Sequence, residues 1–157
     1  MMKRLQFTIT FLAFLLVGCG FKVVDRSSLG NFDISEITTN GEKRINYILK
    51  NKILFASNKN DKKLISINLE TSKDKVSKEK NIKNEVTKFE IIITVKVSYN
   101  EINNIKSKNF SVVEKGDYNV NKQYSQTLNN EKKLIEFLTD KIANEILEEL
   151  NFRLNAI

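Results

Sequence analysis

Along VTKFEIIITVKVSYN, residues 86–100, apolar side chains occupy every second position. Phe89, Ile91, Ile93, Val95, Val97 and Tyr99 share one parity; Glu90, Thr94, Lys96 and Ser98 share the other, with Ile92 the exception. Because side chains of a strand alternate between its faces, this period predicts a long strand buried on one side. Ile65, Ile67 and Leu69 alternate with Ser66 and Asn68 to predict another strand, and Phe110, Val112 and Val113 mark a third. That third strand either continues toward Tyr118 and Val120 or breaks at Gly116-Asp117. Residues 32–37, FDISEI, have strand content with imperfect alternation and are read as ending at Asn40-Gly41.

Elsewhere the period changes to that of a helix. Residues 42–55 place Ile45, Ile48, Leu49 and Ile53 on one side, which predicts an amphipathic helix. From about Asn130 to Leu154, the residues Leu134, Leu138, Ile142, Ile146 and Leu150 form a stripe. Ile135, Phe137, Leu147 and Leu154 widen it, and Asn129 or Asn130 is placed to cap it. Opposite the stripe lie Glu136, Asp140, Glu145, Glu148 and Glu149. Anionic lipid would repel these acids, so the stripe is read as core packing and not as a membrane-surface face. Residues 56–62 and the charged run TSKDKVSKEKNIKN, 71–84, are read as loops, the latter a long hairpin loop or partly disordered. The order strand, helix, three strands, helix, with one-sided elements throughout, buries most cheaply as an α+β two-layer sandwich. Two helices would cover one face of a four-stranded, mostly antiparallel sheet, with the first strand open to a parallel pairing.

The N-terminus adds a location. Lys3 and Arg4 precede the apolar run FTITFLAFLLV, and Gly18 precedes Cys19, the one cysteine of the chain. This is the layout of a signal peptide, and the run is too short to span a bilayer. Leu16-Val17-Gly18-Cys19 is similar to the bacterial lipobox. The similarity implies cleavage before Cys19 and diacylglycerol and acyl chains on its thiol and amine, a lasting anchor. An ordinary signal peptide with a chance cysteine is the plainer alternative. With Gly20 and not aspartate after the cysteine, the resemblance favours the outer membrane. The expected organisation is residues 1–18 as signal peptide, 19–31 as lipidated tether and 32–157 as one domain.

Charge and composition then narrow the chemistry. Among 157 residues the formal net charge is +7, with 26 basic and 19 acidic side chains. Removing Lys3 and Arg4 with the signal leaves 24 − 19 = +5. Such a balance suits an anionic partner, although a lysine- and asparagine-rich chain also carries many merely solvated lysines. Export removes nucleic acid from consideration. With no histidine, serine–histidine and cysteine–histidine catalysis are excluded, as is the commonest metal ligand. The five glycines form no phosphate loop. Adjacent acids such as Glu148-Glu149 point in different directions on a helix. No enzyme activity, metal or diffusible cofactor is expected.

The opening Cys19-Gly20-Phe21, the helix carrying Arg44, Ile48 and Leu49, the strands KFEIIITVKVSYN and SKNFSVV, and the final LNNEKKLIEFLTDKIANEILEEL together resemble the lipopolysaccharide-assembly lipoprotein LptE family. The resemblance covers the layout of the whole mature chain and is closest in residues 86–150. It implies the same sandwich, lodged in the β-barrel LptD and helping lipopolysaccharide into the outer membrane. It also implies that basic residues far from the anchor meet the lipopolysaccharide. By position these are Lys80 and Lys83, before the long strand, and Lys122, before the last helix; the sites matching the family's own carry Ile82 and Leu128. The alternative is a lipoprotein binding module for another envelope ligand.

Overall fold

A computed structural model describes residues 32–56, 63–102 and 106–155. Four strands, β1 (Phe32–Gly41), β2 (Lys63–Lys80), β3 (Val86–Glu101) and β4 (Lys108–Asn119), form one sheet in chain order. β1 pairs with β2 in parallel, and the β2–β3 and β3–β4 pairs are antiparallel. Helices α1 (Lys43–Ala56) and α2 (Tyr124–Asn155) lie against one face. The expected sandwich is thus present, and the parallel β1 follows from its connection. A helix separates β1 from β2, and such a crossover returns the chain in the same direction.

The core sits between sheet and helices. Ile65, Ile67 and Leu69 from β2, Ile91 to Val97 at alternate positions from β3, and Val112 from β4 are buried against Leu138, Ile142, Ile146 and Leu150 of α2. Ile45, Leu49 and Ile53 of α1 complete it. The imperfect alternation of β1 has a local cause. The register with β2 shifts between Ile34 and Glu36, and Ser35 donates its hydroxyl to the Ile65 carbonyl at 3.0 Å. One extra residue in a bulge lets Ile34 and Ile37 both turn toward the helices.

Four expectations are corrected. The charged run 71–84 is not a loop, because β2 continues through Lys80 and the turn is confined to 81–85. A strand shows a two-residue apolar period only where one face is buried, and most of β2 beyond Lys73 is exposed on both. Its continuation is held by β3, whose backbone it pairs as far as Val86. β1 likewise runs through Asn40-Gly41 and ends there. The last helix starts at Tyr124, so Asn129 and Asn130 are interior residues and not caps. Its first turns are fixed by buried Thr127, whose Oγ1 accepts from the Asn121 amide at 2.9 Å and lies 3.3 Å from the Asn121 carbonyl. Finally, Phe137 is exposed and stands outside the core stripe. The alternative left open for β4 is decided in favour of continuation. Gly116 lies in mid-strand opposite Ile91, where a Cβ would come 2.8 Å from Leu134 Cδ1. The expected loop at 57–62 falls outside the described residues, as do Cys19 and the tether.

Candidate functional site: the lysine-bearing end of the sheet

β1 stops opposite Thr71, whereas β2, β3 and β4 continue as a three-stranded ribbon as far as the Lys88–Asn119 pair, and β2 and β3 alone reach the 81–85 turn. At about 3.3 Å per residue, the length of β2 puts this turn roughly 55 Å from Lys63, the partner of Phe32. Phe32 is the first described residue, and the ribbon tip lies at the opposite end of β2 from its partner Lys63.

Asn81 organises the tip. Its Oδ1 accepts from the Lys83 and Glu85 amides at 2.9 and 3.0 Å, and its Nδ2 donates to the Glu85 carboxylate at 2.8 Å. Its backbone N–H bonds the Glu85 carbonyl and its carbonyl accepts from Asn84, which adopts the left-handed region at φ 62°. Asparagine tolerates that region because its short side chain hydrogen-bonds nearby backbone. Ile82 is left fully exposed at the apex, beside Lys83.

All three lysines expected at a ligand site come to this end. Lys80 closes β2 opposite Val86, so it belongs to a strand and not to the loop expected for it; Lys83 is in the turn. Lys88 pairs with Asn119, and the Val120 amide donates to the Thr87 carbonyl at 2.9 Å. These contacts carry Lys122, in the link between β4 and α2, to the base of the tip. Leu128, in the second turn of α2, is partly exposed at the same end.

Charge is distributed unevenly along the ribbon. In its shaft, Lys78 binds Asp117 at 2.6 Å and Glu90 at 3.2 Å, and Lys88 binds Glu79. Lys75 binds Glu131 at 2.7 Å, and the Tyr118 hydroxyl donates to the same carboxylate oxygen at 2.7 Å. The Lys75 ammonium also stands 4.5 Å from the Phe89 ring centre, a favourable cation–π position. Burial alone would push the Glu131 carboxyl up, but hydrogen bonds from Lys75 and Tyr118 and the charges of Lys75 and Lys73 outweigh it and hold it below 4.5. Burial pushes the Tyr118 phenol up, and its bond to Glu131 adds to this, keeping it a donor. In contrast, Lys80, Lys83 and Lys122 are exposed and make no ion pair among the described residues. The shaft is neutralised and the tip remains cationic, a suitable arrangement for anionic groups carried on a larger molecule. Sequence reasoning missed the Lys75–Glu131–Tyr118 contact. Its residues are far apart in the chain, and the run around Lys75 gives no strand signal.

Among the described residues, no group of acids, histidines or cysteines could hold a metal ion, and no helix is long and apolar enough to cross a membrane.

No protein-family model matches the chain, and no curated protein matches it in sequence. Solved structures do match it in shape. Rare lipoprotein B from Shewanella oneidensis superposes with a TM-score of 0.55 at 14% identity, covering 73% of this chain and 92% of that one. Lipoprotein B from Nitrosomonas europaea superposes with a TM-score of 0.57 at 16% identity, covering 88% and 94%. At such identities the likeness concerns the path of the backbone, and it extends over nearly the whole of both neighbours. The chain therefore shares the fold of these lipoprotein B structures, a two-layer α+β sandwich.

Proposed function

We propose that this protein is an outer-membrane lipoprotein, anchored through acyl chains on Cys19, that pairs with a large β-barrel of the LptD type and assists the insertion of lipopolysaccharide. The observation that carries the reading is the cationic tip, set at the opposite end of β2 from Lys63, the partner of Phe32. An anchored domain of this length holds its unpaired lysines well away from its own membrane leaflet, where phosphates of a passing glycolipid can reach them. The lipobox-like Leu16-Val17-Gly18-Cys19 supports the anchor, and the fold shared with lipoprotein B supports the class. In this reading the domain makes and breaks no bond and uses no metal or diffusible cofactor. It works by positioning: the polar sheet face and tip occupy a barrel lumen, whose interior is polar in outer-membrane barrels.

The test is recovery of the full-length chain through a C-terminal tag in mild detergent, with mass identification of what accompanies it. A stoichiometric large β-barrel is the expected result. Recovery of the chain alone would favour the binding-module alternative.

A further inference from the structure

A second cationic feature lies away from the tip, where β1 ends and α1 begins. Lys43, Asn46, Tyr47 and Lys50 follow at helical spacings of three and four, so they share one face of α1. With Thr39, Asn40 and Gly41 of β1 they line a groove of about 400 Å³. Gly41 pairs with Thr71, well short of Lys80 along β2. The groove is therefore separate from the lysine-bearing tip.

The cations of α1 divide by face. Arg44 and Lys52 reach toward α2 and are matched there by Glu136 and Asp140. Lys43 and Lys50, on the groove face, make no ion pair among the described residues. The neighbouring acid Glu42 turns toward Lys73, 3.6 Å away, and is not part of the groove lining. At the floor lies Asn46, only 7% exposed. Its Oδ1 accepts from the Thr71 hydroxyl at 2.9 Å, while its amide nitrogen has no hydrogen-bond partner among the described residues. Asn40 is similar: its Oδ1 accepts from the Gly41 amide at 2.9 Å, leaving its NH₂ as the free half. The Tyr47 hydroxyl and Thr39 hydroxyl stand at the rim.

Every free polar group in this set can donate, and none of the lining residues is an acid. Among the described residues the Tyr99 hydroxyl is the one fully buried side-chain polar atom without a partner, so the Asn46 amide nitrogen is accessible and can donate into the groove. Two lysines without counter-charges supply the complementary field. We propose that this groove binds a phosphate-class oxyanion, with Lys43 and Lys50 balancing its charge and Asn46 donating from below. A tetrahedral group with several acceptor oxygens engages donors arriving from floor and rim together, which a single carboxylate oxygen pair does less completely. The proposal does not depend on whether the chain partners a barrel.

The chemistry is shared by free phosphate and by the phosphodiester of a lipid headgroup, so both are tested as soluble probes. The full-length chain in neutral detergent is titrated calorimetrically, at constant ionic strength, with inorganic phosphate and separately with glycerophosphoglycerol. Saturable binding of at least one probe is expected, and the one that binds more tightly identifies the source. The double variant Lys43→Ala/Lys50→Ala should weaken it by at least about tenfold. The control Lys132→Ala/Lys133→Ala removes the same charge from exposed positions of α2 that make no ion pair among the described residues, and should leave binding unchanged. Asn46→Asp, checked for folding by circular dichroism, should abolish it by placing an anion at the floor. Equal weakening in both double variants would mean only a general charge effect and would overturn the proposal. So would the absence of saturable binding for both probes, or acetate binding as tightly as either.

Discussion

Gly41 and Gly116 show how two glycines in strands can matter for different reasons. Gly41 has φ +99°, a region that side chains disfavour, and a Cβ there would lie 1.9 Å from the Thr71 carbonyl oxygen. Backbone cannot yield as a side-chain end can, so Gly41→Ala combines strain with a clash. It should destabilise the domain by about 2–4 kcal/mol, read as a lower urea midpoint at unchanged slope. At Gly116 the obstructing atom is Leu134 Cδ1, the end of a flexible side chain. Gly116→Ala should cost nearer 1 kcal/mol, and a loss equal to that of Gly41→Ala would refute this distinction. The sequence offered Asn40-Gly41 as a chain break, which was nearly right in place. That the glycine is needed for the approach of Thr71 is invisible without the parallel pairing of β1 and β2.

Among elements, the ribbon formed by β2, β3 and β4 is tied to the start of α2 at Glu131. Glu131 receives Lys75 and Tyr118 on one carboxylate oxygen, so three elements meet at a single group. The folded-state value of Glu131 is depressed below 4.5. Its contribution is therefore present above the ordinary carboxylate value and is lost as pH falls through the lower, folded value. Lys75 is affected oppositely: burial lowers it, but bonds to Glu131 and Tyr118 raise it above 10.5. Its share is complete below 10.5 and disappears as pH rises through the folded value. Glu131→Gln keeps an acceptor for Tyr118 and removes the charge. At neutral pH it should cost about 1 kcal/mol or less, as partly exposed pairs do. The variant should also lose part of the stability difference between pH 6 and pH 3 seen in the parent. Parallel acid-unfolding curves for parent and variant would show that Glu131 carries none of that dependence.

For the whole molecule, the expected consequences concern attachment and reach. Cys19→Ala should release the protein from outer membranes or leave it held by an uncleaved signal. If the variant still sediments wholly with outer membranes, the anchor assigned to Cys19 is wrong. The triple variant Lys80→Glu/Lys83→Glu/Lys122→Glu should keep the fold, since all three side chains are exposed and make no ion pair among the described residues. It should weaken lipopolysaccharide binding by more than about tenfold, the scale of losing several charge-assisted contacts. Unchanged binding at matched ionic strength would dismiss these lysines. The same titration can ask whether Ile82, exposed at the apex between Lys80 and Lys83, contributes apolar contact that charge reversal leaves intact.

The sequence by itself determined the element types and their buried faces, because Ile91 to Tyr99 and Leu138 to Leu150 display the periods that one-sided burial imposes. It also placed Lys83 and Lys122 outside regular elements, Lys83 by reading the whole charged run 71–84 as a loop, the reading that misplaced Lys80. Only tertiary structure decided that β2 extends to Lys80. Backbone pairing with β3 sustains that extension without burying a face, so no apolar period marks it. Tertiary structure also decided which lysines stay unpaired. Lys75 and Lys80 lie close together in one charged run, yet Glu131 arrives from α2 to neutralise the first, and no acid among the described residues pairs with the second. Ion pairs between distant segments depend on the packing of whole elements, and no local pattern in the chain encodes them.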